Sequence, residues 1–234
     1  IQTASTNAIA GDIQINSAQS PELDTLNAQG AQAGGTIVLA SNDAITLGNI
    51  QADSPLQGGS VRLISPENIQ VGSINAQGGV TGGSVEVSTE QLFQAFDTFT
   101  DTNGLNASIS TAGGTTDGQV IIRHDGGNQT TPFVVGDASI NGTAGAITTG
   151  AGNSIVPTRG FIGSYTQGDI QIITADFLDP ETAEFPPSQE IEAIKEQPFW
   201  LDEYFTRQFE SQMGETNDTV VKSLDEIQQT LQKT

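Results

Sequence analysis
The chain has 234 residues, enough for one domain or two small ones with a real core. Seven Lys+Arg against 28 Asp+Glu give a net charge of −21, yet only 15% of residues are charged and 27 are Gly. This balance excludes a nucleic-acid-binding surface, which needs cations to displace counterions from phosphates. With no Cys and one His, disulfide scaffolds, Cys-ligated zinc, cysteine nucleophiles and His-rich metal cages are excluded as well.

Taken along the chain, the first element is a repeat. Gly11-Asp-Ile-Gln-Ile15, Gly35-Thr-Ile-Val-Leu39, Gly59-Ser-Val-Arg-Leu63 and Gly83-Ser-Val-Glu-Val87 are spaced by 24 residues throughout. Leu26-Asn-Ala28, Ile50-Gln-Ala52 and Ile74-Asn-Ala76 keep the same phase, as do Ile45-Thr-Leu47 and Ile69-Gln-Val71, with Leu23 one period earlier. Each period therefore holds three short segments, apolar at i and i+2, which is the period of a strand. Gly pairs, Ser-Pro and Asn/Asp separate them, which is turn chemistry. An all-β fold follows: a right-handed parallel β-helix with three short strands per roughly 24-residue coil. Antiparallel hairpins would predict turns every 8–12 residues but no fixed phase of this length.

Two inward ladders are expected, Ile13–Ile37–Val61–Val85 and Ile15–Leu39–Leu63–Val87, with Ala28, Ala52 and Ala76 where the triangle is tight. The corner glycines Gly11, Gly35, Gly59, Gly83, Gly118 and Gly168 are expected to supply positive φ. After Val87 the repeat stretches: Ile109 answers Ile74 and Gly118 answers Gly83, both at an offset of 35. The 11 added residues predict an insertion at about 88–108, with Leu92, Phe96 and Phe99 at helical spacing. A second insertion, at about 136–167, precedes Gly168-Asp-Ile-Gln-Ile172 and reads as a functional excursion, a decorative loop or an end cap.

The β domain is bounded at 1–175, where 26 of the 27 Gly lie and the charge is −11. Residues 176–198 hold four Pro and read as a linker. Residues 199–234 read as two short amphipathic helices, over Phe199–Met213 and about Asp218–Gln232. The first carries the apolar concentration of Phe199, Trp200, Tyr204, Phe205 and Phe209, which either packs on its own β-helix or on a neighbouring subunit.

Several stretches carry a resemblance: Ser108-Ile-Ser-Thr-Ala-Gly-Gly-Thr-Thr, Val120-Ile-Ile-Arg-His-Asp-Gly-Gly, Thr131-Pro-Phe-Val-Val-Gly, Asn141-Gly-Thr-Ala-Gly-Ala-Ile-Thr-Thr-Gly and Gly163-Ser-Tyr-Thr-Gln-Gly-Asp-Ile-Gln-Ile-Ile. Together they resemble the β-helical region of large cyanobacterial exoproteins related to filamentous-haemagglutinin-like, two-partner-secretion adhesins. The tail from Trp200 to Phe209, with Ser223-Leu-Asp-Glu-Ile-Gln-Gln-Thr-Leu, is similar to the segment preceding a CHAT-type caspase-like protease domain. The resemblance implies a secreted chain, extracellular or on the cell surface, cut from a longer precursor. No protease residue carries over, because the chain has no Cys.

Candidate chemistry is sparse. His124 beside Asp125 lacks a Ser motif such as G-x-S-x-G, and a surface or turn position is expected for it. Asp101-Thr-Asn-Gly104 lacks the full calcium-loop pattern, so calcium enters only as an adventitious occupant and no cofactor is expected. Carboxylates do not recur on one coil face as in β-helical lyases and hydrolases, so no enzyme activity is expected. No stretch approaches the roughly 18–20 apolar residues of a membrane helix, and no signal peptide opens the chain. Ile1 in place of Met leads us to expect a processed or truncated chain.

The resulting expectation is a structural or adhesive surface protein that self-associates into a homo-oligomer or filament. Its contacts would be stacked β-helix ends around Ile13, Ile15, Ile170 and Ile172, plus the tail aromatics. Its rivals are a monomeric adhesin or glycan-binding stalk, with surface glycans as partners, and a regulatory or pro-region of a secreted protease.

Overall fold
A computed structural model describes residues 1–174; residues 175–234, which include the linker and both expected helices, lie outside the described residues. The coils follow in chain order. The first holds β1 (Ile13–Ser17), β2 (Glu22–Leu23) and β3 (Leu26–Asn27); the second β4 (Thr36–Ser41), β5 (Ile45–Leu47) and β6 (Ile50–Gln51). The third holds β7 (Ser60–Ser65), β8 (Ile69–Val71) and β9 (Ile74–Asn75). The fourth holds β10 (Ser84–Thr89), β11 (Phe93–Ala95), a short β12 (Phe99–Thr100) and β13 (Asn106–Ser110). Then come β14 (Gln119–His124), β15 (Phe133–Val135), β16 (Gly142–Thr143), β17 (Ala146–Gly150), β18 (Asn153–Ile155), β19 (Arg159–Phe161), β20 (Tyr165–Gln167) and β21 (Ile170–Thr174).

From β1 to β11 every third strand stacks on its equivalent one coil on, and the later strands keep the same three sheets. The three sheets run β1-β4-β7-β10-β14-β21-β20, then β2-β5-β8-β11-β16-β15-β19, and β3-β6-β9-β13-β17-β18. The described residues are thus nearly all-β, with parallel strands in stacked sheets, consistent with a β-helix. Coil-to-coil pairing is parallel from β1 to β14 and from β14 to β21, with Ile13 opposite Ile37 and Val120 opposite Ile170.

Alternation explains why these segments are strands. In β4 the inward residues Ile37, Leu39 and Ser41 are buried while Thr36 is exposed and Val38 and Ala40 are intermediate. Both expected ladders form, and they extend through Val120 and Ile122 to Ile170 and Ile172. Each fully buried Ile or Leu contributes about 1.5–3 kcal/mol of transfer free energy, and these ladders supply much of the core. A solenoid has no other hydrophobic centre, so each coil is held by its neighbours alone.

A third ladder is polar. Ser17, Ser41, Ser65 and Thr89 end the strands of the first sheet, 24 residues apart. Each hydroxyl accepts the N–H two residues on: Gln19, Asp43, Glu67 and Gln91. Ser41, Ser65 and Thr89 also donate to a carbonyl of the preceding coil, on Gln19, Asp43 and Glu67. One side chain thereby satisfies the corner of its own coil and ties it to the next. Ser65→Ala should destabilise by about 1–3 kcal/mol, because it leaves the Glu67 N–H without its acceptor and the Asp43 carbonyl without its donor. Denaturant unfolding measures this, and an unchanged midpoint would show that solvent replaces both bonds.

The structure corrects the expected role of the corner glycines. Of Gly11, Gly35, Gly59, Gly83, Gly118 and Gly168, only Gly168 has positive φ (54°). Gly35, Gly59, Gly83 and Gly118 are required by close approach instead, whereas a Cβ on Gly11 would meet nothing nearer than the Thr3 side chain, at 3.3 Å. A Cβ on Gly35, Gly59, Gly83 or Gly118 would fall under 3.0 Å from the carbonyl oxygen of the equivalent glycine one coil earlier. The same glycines donate their N–H groups to Ala28, Ala52, Ala76 and Thr111 across the corner, at 2.7–3.0 Å. The expected tight place for alanine is therefore real: Ala28, Ala52 and Ala76 are wholly buried.

The insertions are also sharpened. Phe93 pairs with Ile69 at the regular offset, so the added residues fall after Ala95 and not after Val87. No helix forms over Leu92–Phe99. β11 and β12 stand there, since ladder bonds such as Ile69 N–H to the Leu92 carbonyl and Phe96 N–H to the Val71 carbonyl take up the backbone groups. A single helical turn has no comparable reward for its nucleation cost.

Candidate functional site: the axial groove and the strand cap
The second insertion is a cap. Residues 153–167 carry β18, β19 and β20, and each adds antiparallel to the last parallel strand of a different sheet: β17, β15 and β21. Antiparallel strands of three residues thus cover the last parallel edge of all three sheets, five residues long in β17 and β21 and three in β15, which limits edge-to-edge addition. Arg159 fastens the cap. Its guanidinium lies 4.4 Å from the Tyr165 ring centroid and 5.3 Å from that of Phe161, and the two rings stack at 4.4 Å. Such a cation over aromatic faces contributes about 0.5–1 kcal/mol where exposed. At the other end, β1 and β2 have no strand on their outer edges among the described residues, while Gln2 bridges to Asn27.

The residues of the expected end-to-end interface lie as follows. Ile170 and Ile172 are fully buried core residues, and the outer edge of β21 is already paired by β20. Ile13 is buried in the same core and Ile15 packs partly against it. Their side chains serve the internal ladders. Phe199, Trp200, Tyr204, Phe205 and Phe209 lie outside the described residues.

An axial groove runs along the glycine corner among the described residues. Its floor is Gly34, Gly58, Gly59, Gly82, Gly83 and Gly118; Thr36, Ser60, Ser84 and Gln119 form one wall, Gln57 lies on the other, and Asp117 and Asp169 stand at one end. The wall is itself a stacked row, with Thr36 opposite Ser60 and Ser60 opposite Ser84. Ser84 donates to Ser60 at 2.9 Å. These groups can donate and accept hydrogen bonds to a neutral polar chain. They hold no imidazole to activate a hydroxyl, since the one His is elsewhere and buried. No group of three or more His, Asp or Glu is placed to hold a metal among the described residues. Asp101, the centre of the calcium-like loop, caps its own turn, accepting the N–H groups of Asn103 and Leu105 at 2.9 and 2.6 Å.

His124 is the largest departure from expectation. It is fully buried where a surface or turn position was expected. It occupies the next rung of the Ser/Thr ladder, beside Thr89 and opposite Thr174. Its ring packs 5.3 Å from that of Phe133, which stacks at 6.3 Å on Phe93. Burial pushes its pKa down to about 4. The alternation of β14 already places position 124 on the inward face with Val120 and Ile122, so the signal was present in the sequence.

Charge on the outer face of the first sheet is concentrated at Glu86, which pairs with Arg62 at 3.1 Å and Arg123 at 2.6 Å. Half-exposed pairs of this kind contribute about 0–1 kcal/mol. No family model, curated protein or solved structure matches the chain.

Proposed function
We propose that this chain is a non-catalytic, structural or adhesive segment of an extracellular surface protein. It would be a right-handed parallel β-helix, the hand usual for parallel crossovers, followed by a Pro-rich linker and two amphipathic helices. It would present its long faces, and above all the axial groove, to surface glycans. The single observation that supports this reading over end-to-end filaments is the cap: all three sheets finish on short antiparallel strands, so the last coil offers no parallel edge for another copy. The groove supports it further, because hydroxyls, amides and backbone are repeated at the coil spacing of about 4.8 Å, close to the repeat of an extended sugar chain.

Electron microscopy and light scattering at high concentration, together with a glycan array, test this. Monomers that bind a neutral glycan are expected, and Ser60→Trp should abolish that binding by filling the groove. Filaments whose growth survives deletion of residues 199–234 would overturn it in favour of end stacking.

A further inference from the structure
We propose that His124 is an acid-sensitive latch: neutral, it holds the C-terminal coil closed, and on protonation it releases the segment from Asp125 to Val135 together with β21. Asn141 fixes the tautomer of the ring. Its Oδ1 accepts the Phe93 N–H at 3.1 Å, and its Nδ2 donates to the Thr131 carbonyl at 2.9 Å. These two backbone partners fix the amide. A flip would set Nδ2 against an N–H and Oδ1 against a carbonyl. The group 3.3 Å from His124 Nδ1 is that same Nδ2, so Nδ1 must be an acceptor and the imidazole must carry its proton on Nε2. Nε2 is itself buried with no hydrogen-bond partner. A second proton would place donor against donor at Nδ1 and bury a charge.

Nothing nearby compensates that charge. On β14, Arg123 points outward to Glu86, and the carboxylate of Asp125 takes the Gly127 N–H. Thr89 on β10 and Thr174 on β21 are uncharged, and Phe93 of β11 and Phe133 of β15 present rings. Asp137, in the loop before Asn141, is exposed and takes the Ser139 N–H. The release would be local because Asn141 joins β11, the loop after β14 and β15. The regular coils keep their hydroxyl ladder, whose Ser and Thr do not titrate.

The direction follows from linkage. The buried pKa of about 4 lies below the ordinary 6.5. The closed form is therefore fully favoured above pH 6.5, loses ground as pH falls, and stops losing below about 4. Between pH 7.5 and pH 5 the opening constant of this segment should rise about 30-fold.

Hydrogen exchange of the full chain, corrected for the intrinsic rate, reads this in wild type, His124→Thr and His124→Gln. The expected result is a roughly 30-fold loss of protection over 125–135 and 170–174 in wild type only, with 37–41 and 61–65 unchanged. Equal pH profiles in wild type and variants would overturn the latch and leave His124 a core filler. The imidazole resonance of the single His gives an independent reading in wild type: titration well below 6.5 supports the proposal, and titration near 6.5 rejects it.

Discussion

Gly59→Ala is expected to destabilise the coil by more than about 4 kcal/mol, the range reserved for substitutions with a specific steric cause. The added Cβ meets backbone on two sides: the Gly35 carbonyl from the preceding coil and the Ala52 carbonyl oxygen at 2.9 Å across the corner. Neither is the end of a flexible side chain that could turn away. Relief would require the first and third sheets to separate, which would stretch the 2.7 Å bond from the Gly59 N–H to Ala52. The ordinary gain from Gly→Ala, about 0.4–1 kcal/mol through the unfolded chain, is far too small to offset this. Gly163→Ala is the control, since a Cβ there meets nothing within 4 Å and φ is not positive. Thermal melting of the two variants decides the matter. A drop of roughly 8–16 °C, or failure to fold, is expected for Gly59→Ala at about 2–4 °C per kcal/mol, against little change for Gly163→Ala. Equal melting points would mean that the corner is not closed by backbone contact.

The same glycines show what could be read from sequence and what could not. Their spacing of 24 was legible, and so were the two apolar ladders, because a solenoid writes its core as a repeat in the chain. The reason for glycine was not legible. Positive φ and close backbone approach both demand a missing Cβ, and only the stacked geometry separates them. The Ser17–Ser41–Ser65–Thr89 ladder had the same period but was hidden by the abundance of Ser and Thr in turns. The cap strands were not legible because they carry no internal period: β17–β18 and β20–β21 are short hairpins, and β19 pairs with β15 far back in the chain, Phe161 opposite Phe133. Phe93 illustrates the last difficulty: Leu92, Phe96 and Phe99 suggested a helix, but register with Ile69 held β11 in the coil.

Phe133→Ala should cost about 3–5 kcal/mol, as expected for a large aromatic deleted from a rigid core. Phe133 is wholly buried, stacked on Phe93 at an interplanar angle of 8°, and it packs against His124. Its strand is also where the cap begins, since Phe133 pairs antiparallel with Phe161 of β19. In a structure where each coil touches only its neighbours, the loss should be confined to β14–β21. Exchange protection in β4 and β7 should therefore survive while that of β15 and β21 falls. A melt followed by far-ultraviolet dichroism should separate into two steps, the cap first. Phe133→Leu keeps most of the volume and should cost much less. The variant also bears on the buried imidazole. Removing the ring admits water beside His124, so its pKa should move up from about 4 towards the ordinary value. The gap between closed and open forms then narrows, and the pH dependence of opening between 7.5 and 5 should shrink in Phe133→Ala. A single cooperative melt with uniform loss of protection would show instead that the cap and the regular coils fold as one unit.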